Sequence, residues 1–343
     1  MLHLVIITPA FAIDEQDSIS LPFLQVYAKE LLKNNVKLSI LCEQYPDGGN
    51  YHWFGAEVYT LKRKTPSVLY RFLRSHRLKK TLTRIHHKAP ITVIHNMWYN
   101  ILGMISEEFA LAHRIKHVIT VCGQDVLASN PFLKDIPHYS GTLICPSPFQ
   151  KNTLLQIHEV SVRLIPWGIQ DIQTSDTLRS IDLIQCGWIN AVKNNFLFLD
   201  IVHALKETNC IKKVLICGGG PMFDELQQKV QHMHLSDVIE LKNAIPREEV
   251  ISYMQQSKIL VHTSQFESFG LVLAEALACH CKVISTPVGI AYDNKNIIQA
   301  IDKDDFISKI TLALQEDNKK TSVVNDYPIS KTVTEHLTLY SEK

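Results

Sequence analysis

Two carboxylates flanking a glycine carry the clearest chemistry in this chain. In Glu267-Ser-Phe-Gly-Leu-Val-Leu-Ala-Glu275 the first glutamate follows an apolar run, Lys258 to His262, that reads as a buried strand. Glu267 then falls in a strand-to-helix loop, the residues after it form the first turn of a helix, and Glu275 stands about 10 Å further along at 1.5 Å per residue. Free amide protons of Phe269, Gly270 and Leu271 at such a helix start, helped by the macrodipole, suit a diphosphate. Gly270 lets the backbone come close. Carboxylates on either side would face hydroxyl-rich groups, Glu275 a ribose and Glu267 a sugar. Taken alone, such a pair reads more readily as a helix-start residue and a solvent-facing one.

The elements that must position these residues are legible as alternating patterns. At 343 residues the chain is long enough for two domains. Short apolar runs alternate with helix-period segments in both halves, the pattern of parallel sheets covered by helices. Strands are expected at Leu2 to Thr8, Lys37 to Cys42, Ile91 to His95, His117 to Val121, Thr142 to Cys145 and Val162 to Ile165. A second series runs through Ile181 to Cys186, Lys212 to Cys217, Val238 to Leu241, Lys258 to His262 and Lys282 to Thr286. Leu24, Tyr27, Ala28 and Leu31 share one face of a helix opened by Ser20-Leu-Pro22. The polar stretch from Pro166 to Asp176 reads as the linker. The fold class is therefore α/β with two Rossmann-like domains, and ligands are expected in the cleft at the carboxyl ends of the strands.

Bulk properties narrow the classes further. No run of 18 uncharged apolar residues occurs, and Leu2 to Pro9 has neither a basic lead nor a small-residue cleavage site, so a cytoplasmic location is expected. Most of the eight cysteines lie in apolar strand-like runs, as buried free thiols do. Cys279-His280-Cys281 lacks a second spaced ligand pair, and no Asp-x-Asp lies in a plausible loop, so neither metal nor cofactor is expected. Residues 1 to 170 carry 18 Lys and Arg against 12 Asp and Glu, whereas residues 171 to 343 carry 17 against 22; the halves face different partners.

Several ordered segments together resemble family 4 of the retaining glycosyltransferases, which share the two-domain GT-B architecture. Their E-x7-E signature looks like Glu267 to Glu275, and their glycine-then-lysine segment like Gly187-Trp-Ile-Asn-Ala-Val-Lys193-Asn194. Their glycine-glycine-proline turn is similar to Gly219-Gly220-Pro221, and their domain link to Ile165-Pro-Trp-Gly168-Ile169. The resemblance covers residues 160 to 290 well and the first half more loosely, through Val93-Ile-His95 and Thr120-Val-Cys-Gly123-Gln-Asp125.

The resemblance implies an acceptor-binding domain over 1–168 and a nucleotide-sugar-binding domain over 169–326. A final helix, 327–343, with Val333, Leu337 and Tyr340 on one face, would pack back on the first domain. It implies catalytic roles for Glu267 and Lys193. Donor contacts would come from Gly187, Ser268, Phe269, Gly270, Leu271 and Glu275, with Ile245 and Pro246 in the loop nearest the base. Asn96, Cys122, Gly123 and Asp125 would lie on the acceptor side. Lys193 would stabilise the negative charge growing on the departing diphosphate in place of a metal. The acceptor hydroxyl would attack the face the diphosphate leaves and give its proton to a phosphate oxygen, with Glu267 orienting sugar hydroxyls and forming no covalent intermediate.

Three departures stand against these matches. Trp188 replaces an expected arginine, Cys122 replaces a histidine, and no Gly-Gly loop occurs from Phe11 to Pro22. They define the alternative, a non-catalytic GT-B subunit that binds a glycan or protein partner.

Residues 62 to 88 hold ten Lys or Arg and no acid, with Leu69, Phe72, Leu73 and His76 at helical spacing. A basic amphipathic helix of this kind suits the inner face of an anionic membrane and a glycan or lipid-linked acceptor, as in cell-surface polysaccharide or lipopolysaccharide synthesis. A solvated helix with an ordinary core-facing stripe is the plainer account. Without an interleaved aromatic platform, no nucleic-acid partner is expected.

Overall fold

A computed structural model describes residues 2–61, 67–174, 178–316 and 325–342. The chain divides into two compact units, Met1–Gly168 with Ile329–Lys343, and Ile169–Pro328.

In the first unit the chain runs β1 (His3–Ala10), α1 (Pro22–Lys33), β2 (Lys37–Tyr45), β3 (Tyr51–Trp53), β4 (Ala56–Thr60), α2 (Ser67–Lys88) and β5 (Val93–Met97). It continues through α3 (Ile101–His113), β6 (Lys116–Thr120), β7 (Thr142–Cys145), α4 (Pro148–Ile157) and β8 (Arg163–Leu164). These strands form one sheet in the order β3-β4-β2-β1-β5-β6-β7-β8. Only β3 is antiparallel. The apolar run of β1 and all five residues of β5, His95 and Asn96 included, are buried because helices cover both faces of such a sheet. The four residues expected on one face of α1 are all buried, and Pro22 at the first helical position fixes where that helix starts.

The hairpin β3–β4 has no counterpart among the expected strands. Its first strand is three residues long, too short to show a period. The stripe expected on α2 also shifts. Leu69 is 52 % exposed, and the buried residues among those described in this helix are Leu78, Leu82 and Ile85, which meet Tyr59, Leu61 and Ile91 in the core. The later turns of α2 thus lie on the sheet, and Leu69 in its first turn faces outward. Lys62, Arg63 and Lys64 lie outside the described residues.

The second unit runs β9 (Ile181–Cys186), α5 (Asn195–Glu207), β10 (Val214–Cys217), α6 (Phe223–His232), β11 (Ile239–Lys242), α7 (Arg247–Gln255) and β12 (Ser257–His262). It ends with α8 (Leu271–Ala278), β13 (Lys282–Ser285), β14 (Ile297–Gln299) and α9 (Lys303–Gln315). Its sheet is wholly parallel, in the order β11-β10-β9-β12-β13-β14. The strand order reverses between β9 and β12, so the loops after these two strands flank a topological switch point.

The last helix, α10 (Ile329–Ser341), belongs to the first unit. Its Tyr340 hydroxyl meets the Tyr27 hydroxyl at 2.8 Å and His95 Nδ1 at 2.5 Å, while His95 Nε2 reaches Thr120 Oγ1 at 2.7 Å. Trp167 stacks on His336 and packs edge-on against Phe23 and Tyr27. Trp167 and Ile169 are therefore buried, which corrects the reading of the whole segment from Pro166 as a polar linker. Two large apolar side chains in it had closer partners than water.

Candidate active site

The second unit brings Glu267 and Lys193 together. Lys193 Nζ forms an ion pair with Glu267 Oε1, and His262 Nε2 lies 3.2 Å from the same oxygen. The two residues arrive from opposite sides of the switch point, Lys193 from the loop after β9 and Glu267 from the loop after β12. Backbone and hydroxyl bonds hold the two loops together. Gln265 N–H donates to the Val192 carbonyl at 2.8 Å, and Thr263 Oγ1 reaches the carbonyls of Lys193 and Asn194, each at 3.0 Å. Asn190 caps the single turn before Lys193 by accepting from its N–H at 3.1 Å.

Electrostatics at this cluster are set by burial. Desolvation lowers the Lys193 ammonium to a pKa of about 8, with the Glu267 carboxylate beside it acting in the opposite sense. Burial, and then the Lys193 charge, hold His262 well below the usual histidine range. A neutral His262 donates Nε2–H to Glu267 and leaves Nδ1 toward the Ser285 hydroxyl, 3.2 Å away. Sequence reasoning missed His262, since a histidine closing an apolar strand reads as core.

Helix α8 opens at Leu271, and Gly270 before it turns the chain with φ 85°. This moves the expected first turn. Ser268 and Phe269 belong to the loop, and the Phe269 side chain is buried edge-on against Tyr327. The N–H groups of Gly270, Leu271 and Val272 precede any carbonyl of the helix that could accept from them, so this end keeps the character of an anion site. Gly289 (φ 55°) packs beneath it: a Cβ there would strike the Phe269 carbonyl and come within 3.1 Å of Glu267 Cβ. The Ile290 N–H donates to that same carbonyl at 2.8 Å.

Glu275 pairs with Arg247, Nε to Oε1 at 2.7 Å, and burial raises its carboxyl although the guanidinium opposes the shift. Arg247 is the first residue of α7, directly after Ile245 and Pro246, so this pair ties the loop expected near a base to α8. Gly187, after β9, packs closely against the turn of Gly218 and Gly220 after β10. A Cβ on Gly218 would overlap the Gly187 carbonyl, and one on Gly220 the Ile189 carbonyl. Trp188, beside them, is 59 % exposed.

In the first unit the residues expected on an acceptor side separate. Asp125 accepts from the backbone N–H groups of Gly123 (2.7 Å), Tyr99 (2.8 Å) and Cys122 (3.4 Å), and burial raises its pKa to about 6. It clips the loops after β5 and β6 together. Cys122 and Gly123 lie at the carboxyl end of β6, half-buried, with the Trp98 indole next to Gly123. Asn96 is a correction. It is 1 % exposed inside the sheet, where its Oδ1 accepts from Ser106 Oγ at 2.7 Å and lies 3.1 Å from His117 Nε2. Its place in β5 buries it within the sheet and off the surface.

Cys279 and Cys281 are buried, and burial pushes both thiols up to about 12. Among the described residues no three His, Cys, Asp or Glu side chains converge as a metal site.

Residues 174–326 match the family model described as glycosyl transferases group 1. That span lies within the second unit and is somewhat less than half of the chain. The matched span holds Gly187, Lys193, Glu267 and Glu275. Among curated relatives, the GPI3 subunit of phosphatidylinositol N-acetylglucosaminyltransferase from Saccharomyces cerevisiae is 33 % identical over 161 residues, covering 43 % of this chain and 36 % of that protein. The chain therefore spans little more than a third of that relative's length. An uncharacterized glycosyltransferase from Methanocaldococcus jannaschii is 26 % identical over 255 residues, covering 70 % of this chain and 71 % of the relative. Sucrose-phosphate synthase from Thermosynechococcus elongatus superposes with a TM-score of 0.78 at 15 % identity, over 99 % of this chain and 98 % of the other. HepE from Anabaena, crystallised with UDP and glucose, gives 0.73 at 12 % identity over 99 % and 100 %. The fold is that of the GT-B glycosyltransferases, with two Rossmann-like domains. No described helix is long and apolar enough to cross a membrane.

Proposed function

We propose that the chain is a retaining glycosyltransferase that moves a sugar from a nucleotide-sugar donor to a glycan or lipid-linked acceptor without a metal ion or other cofactor. The observation that carries this reading is the meeting of Lys193, Glu267 and His262 beside the start of α8. The diphosphate lies against the α8 amides and Lys193, which leaves its ion pair to neutralise the leaving group. Glu267, then held by His262, orients hydroxyls of the transferred sugar. Glu275, with Arg247, faces the ribose. Attack comes from the side the diphosphate leaves, and a phosphate oxygen takes the acceptor proton. The basic helix α2 brings the protein to an anionic membrane surface at the inner face, consistent with a role in cell-surface polysaccharide or lipopolysaccharide synthesis.

Thermal melts with UDP, GDP, ADP and CDP test the donor site, since a ligand of the folded state alone raises the melting temperature. Transfer or donor hydrolysis should fall about 100-fold or more in Lys193→Ala and in Glu267→Ala. Rates like the parent's in both variants would defeat the assignment. The exposed Trp188, where a second cation would assist the diphosphate, favours one alternative: a non-catalytic subunit that binds a glycan or protein partner. That reading predicts no turnover with any donor, even where a nucleotide raises the melting temperature.

A further inference from the structure

The first unit holds a cavity of about 780 Å³ against α2, whose lining includes Thr60, Arg77, Lys80, Thr81, Thr83 and Arg84. Among the described residues no carboxylate lines it. The cations of α2 divide by what they meet. Arg74 pairs with Glu43, Lys79 with Glu108 and Lys88 with Glu57. Arg77 donates to the Leu61 carbonyl at 3.1 Å, and the Arg84 guanidinium lies 5.1 Å from the Tyr59 ring centroid. Among the described residues no carboxylate pairs with Lys80 or Arg84. Arg77, Lys80 and Arg84 recur at i, i+3 and i+7, so they share one face of the helix. A concave surface that presents Lys80 and Arg84 on one face, with Arg77 behind them and no acid among the described lining residues, matches a phosphate group bearing two charges. Guanidinium forks recognise such a group bidentately, which a diffuse surface field does not.

We propose that this cavity binds a phosphomonoester or diphosphate group, with Arg84 and Lys80 as its principal charges. It deepens the membrane reading of α2 by replacing a general attraction with a discrete site, and it stands apart from the nucleotide site of the second unit. The group's source is either a lipid head group or a soluble phosphate ester.

The test uses the full chain with UDP in excess, so that phosphate probes do not report the other site. Calorimetric titration with glycerol 3-phosphate and with pyrophosphate is run beside co-sedimentation with phosphatidylcholine vesicles containing phosphatidic acid or phosphatidylserine. Binding of either soluble probe, or a preference for phosphatidic acid vesicles over phosphatidylserine vesicles matched in charge, is expected. The source is read from which arm responds. Lys80→Gln with Arg84→Gln should weaken that binding at least tenfold, and Arg84→Lys several-fold, because it keeps the charge but loses the fork. Both side chains are exposed, so the fold should persist, and an unchanged UDP melting shift checks this. Failure of both arms, equal binding to the two vesicle types without soluble binding, or an undiminished response in the double variant would overturn the proposal. A UDP shift that is absent while phosphate still binds would refute only the donor-site reading.

Discussion

At the scale of single residues, Lys193 is the most exposed to a simple test. Burial sets its pKa at about 8, so its charge is present below that value and lost above it. If the ammonium holds the donor diphosphate, donor affinity falls as pH rises past about 8, by roughly tenfold per unit once the lysine is mostly neutral. Lys193→Arg, which stays charged, should abolish that fall even where it lowers affinity overall. Titrating a responding nucleotide from pH 6.5 to 9.5 reads both. Glu267 and Lys193 were legible in the sequence because each sits between a strand run and a helix run, and Glu275 because it follows Glu267 at the spacing of the resembled signature. The contacts of His262 and Arg247 with these carboxylates were not. The first ends an apolar strand and the second begins a charged helix, and only the meeting of β9, β12 and α7 shows that both touch the glutamates.

The elements were easier to read than the loops that join them. Alternation predicted the parallel sheets because a strand covered on both faces is mostly apolar. The hairpin of β3 and β4 escaped because three residues carry no period, and the start of α8 was displaced because only the φ of Gly270 marks it. The glycine turn after β10 belongs to this scale. Its Gly218 has φ 155° and no room for a Cβ beside the Gly187 carbonyl. Gly218→Ala should destabilise the second unit by about 3 kcal/mol, the sum of strain and overpacking. The same change should weaken nucleotide binding through displacement of Gly187. Denaturant melts followed by a probe in the second unit would measure it, and a cost below about 0.5 kcal/mol would show that the turn gives way easily.

Over the whole molecule, the first strand and the last helix both belong to the first unit, joined there by a buried group of Tyr27, His95, His336 and Tyr340. The sequence showed the apolar face of α10 but not these polar partners, because its histidine and tyrosine belong to no short motif. Burial pushes His336 down to about 4 and His95 well below its usual range. Below pH 6.5 the unfolded chain takes a proton that folded His336 refuses until near pH 4, so stability falls as pH drops through that window, by about 3 kcal/mol from this residue. His336→Phe should flatten the slope. Hydrogen exchange in α1 and α10 between pH 7 and 4.5 would show it, and equal slopes in parent and variant would remove His336 as the cause.

The return of α10 also sets an order for biosynthesis. Since the second unit is encoded between the two parts of the first, the nascent chain holds every residue of the second unit's sheet before it holds the segment that seals the first. The usual order, in which an N-terminal domain is completed before later domains emerge, is reversed here. Until α10 arrives, Tyr27, His95 and Trp167 wait at an unfinished surface, the place where a holding chaperone would act.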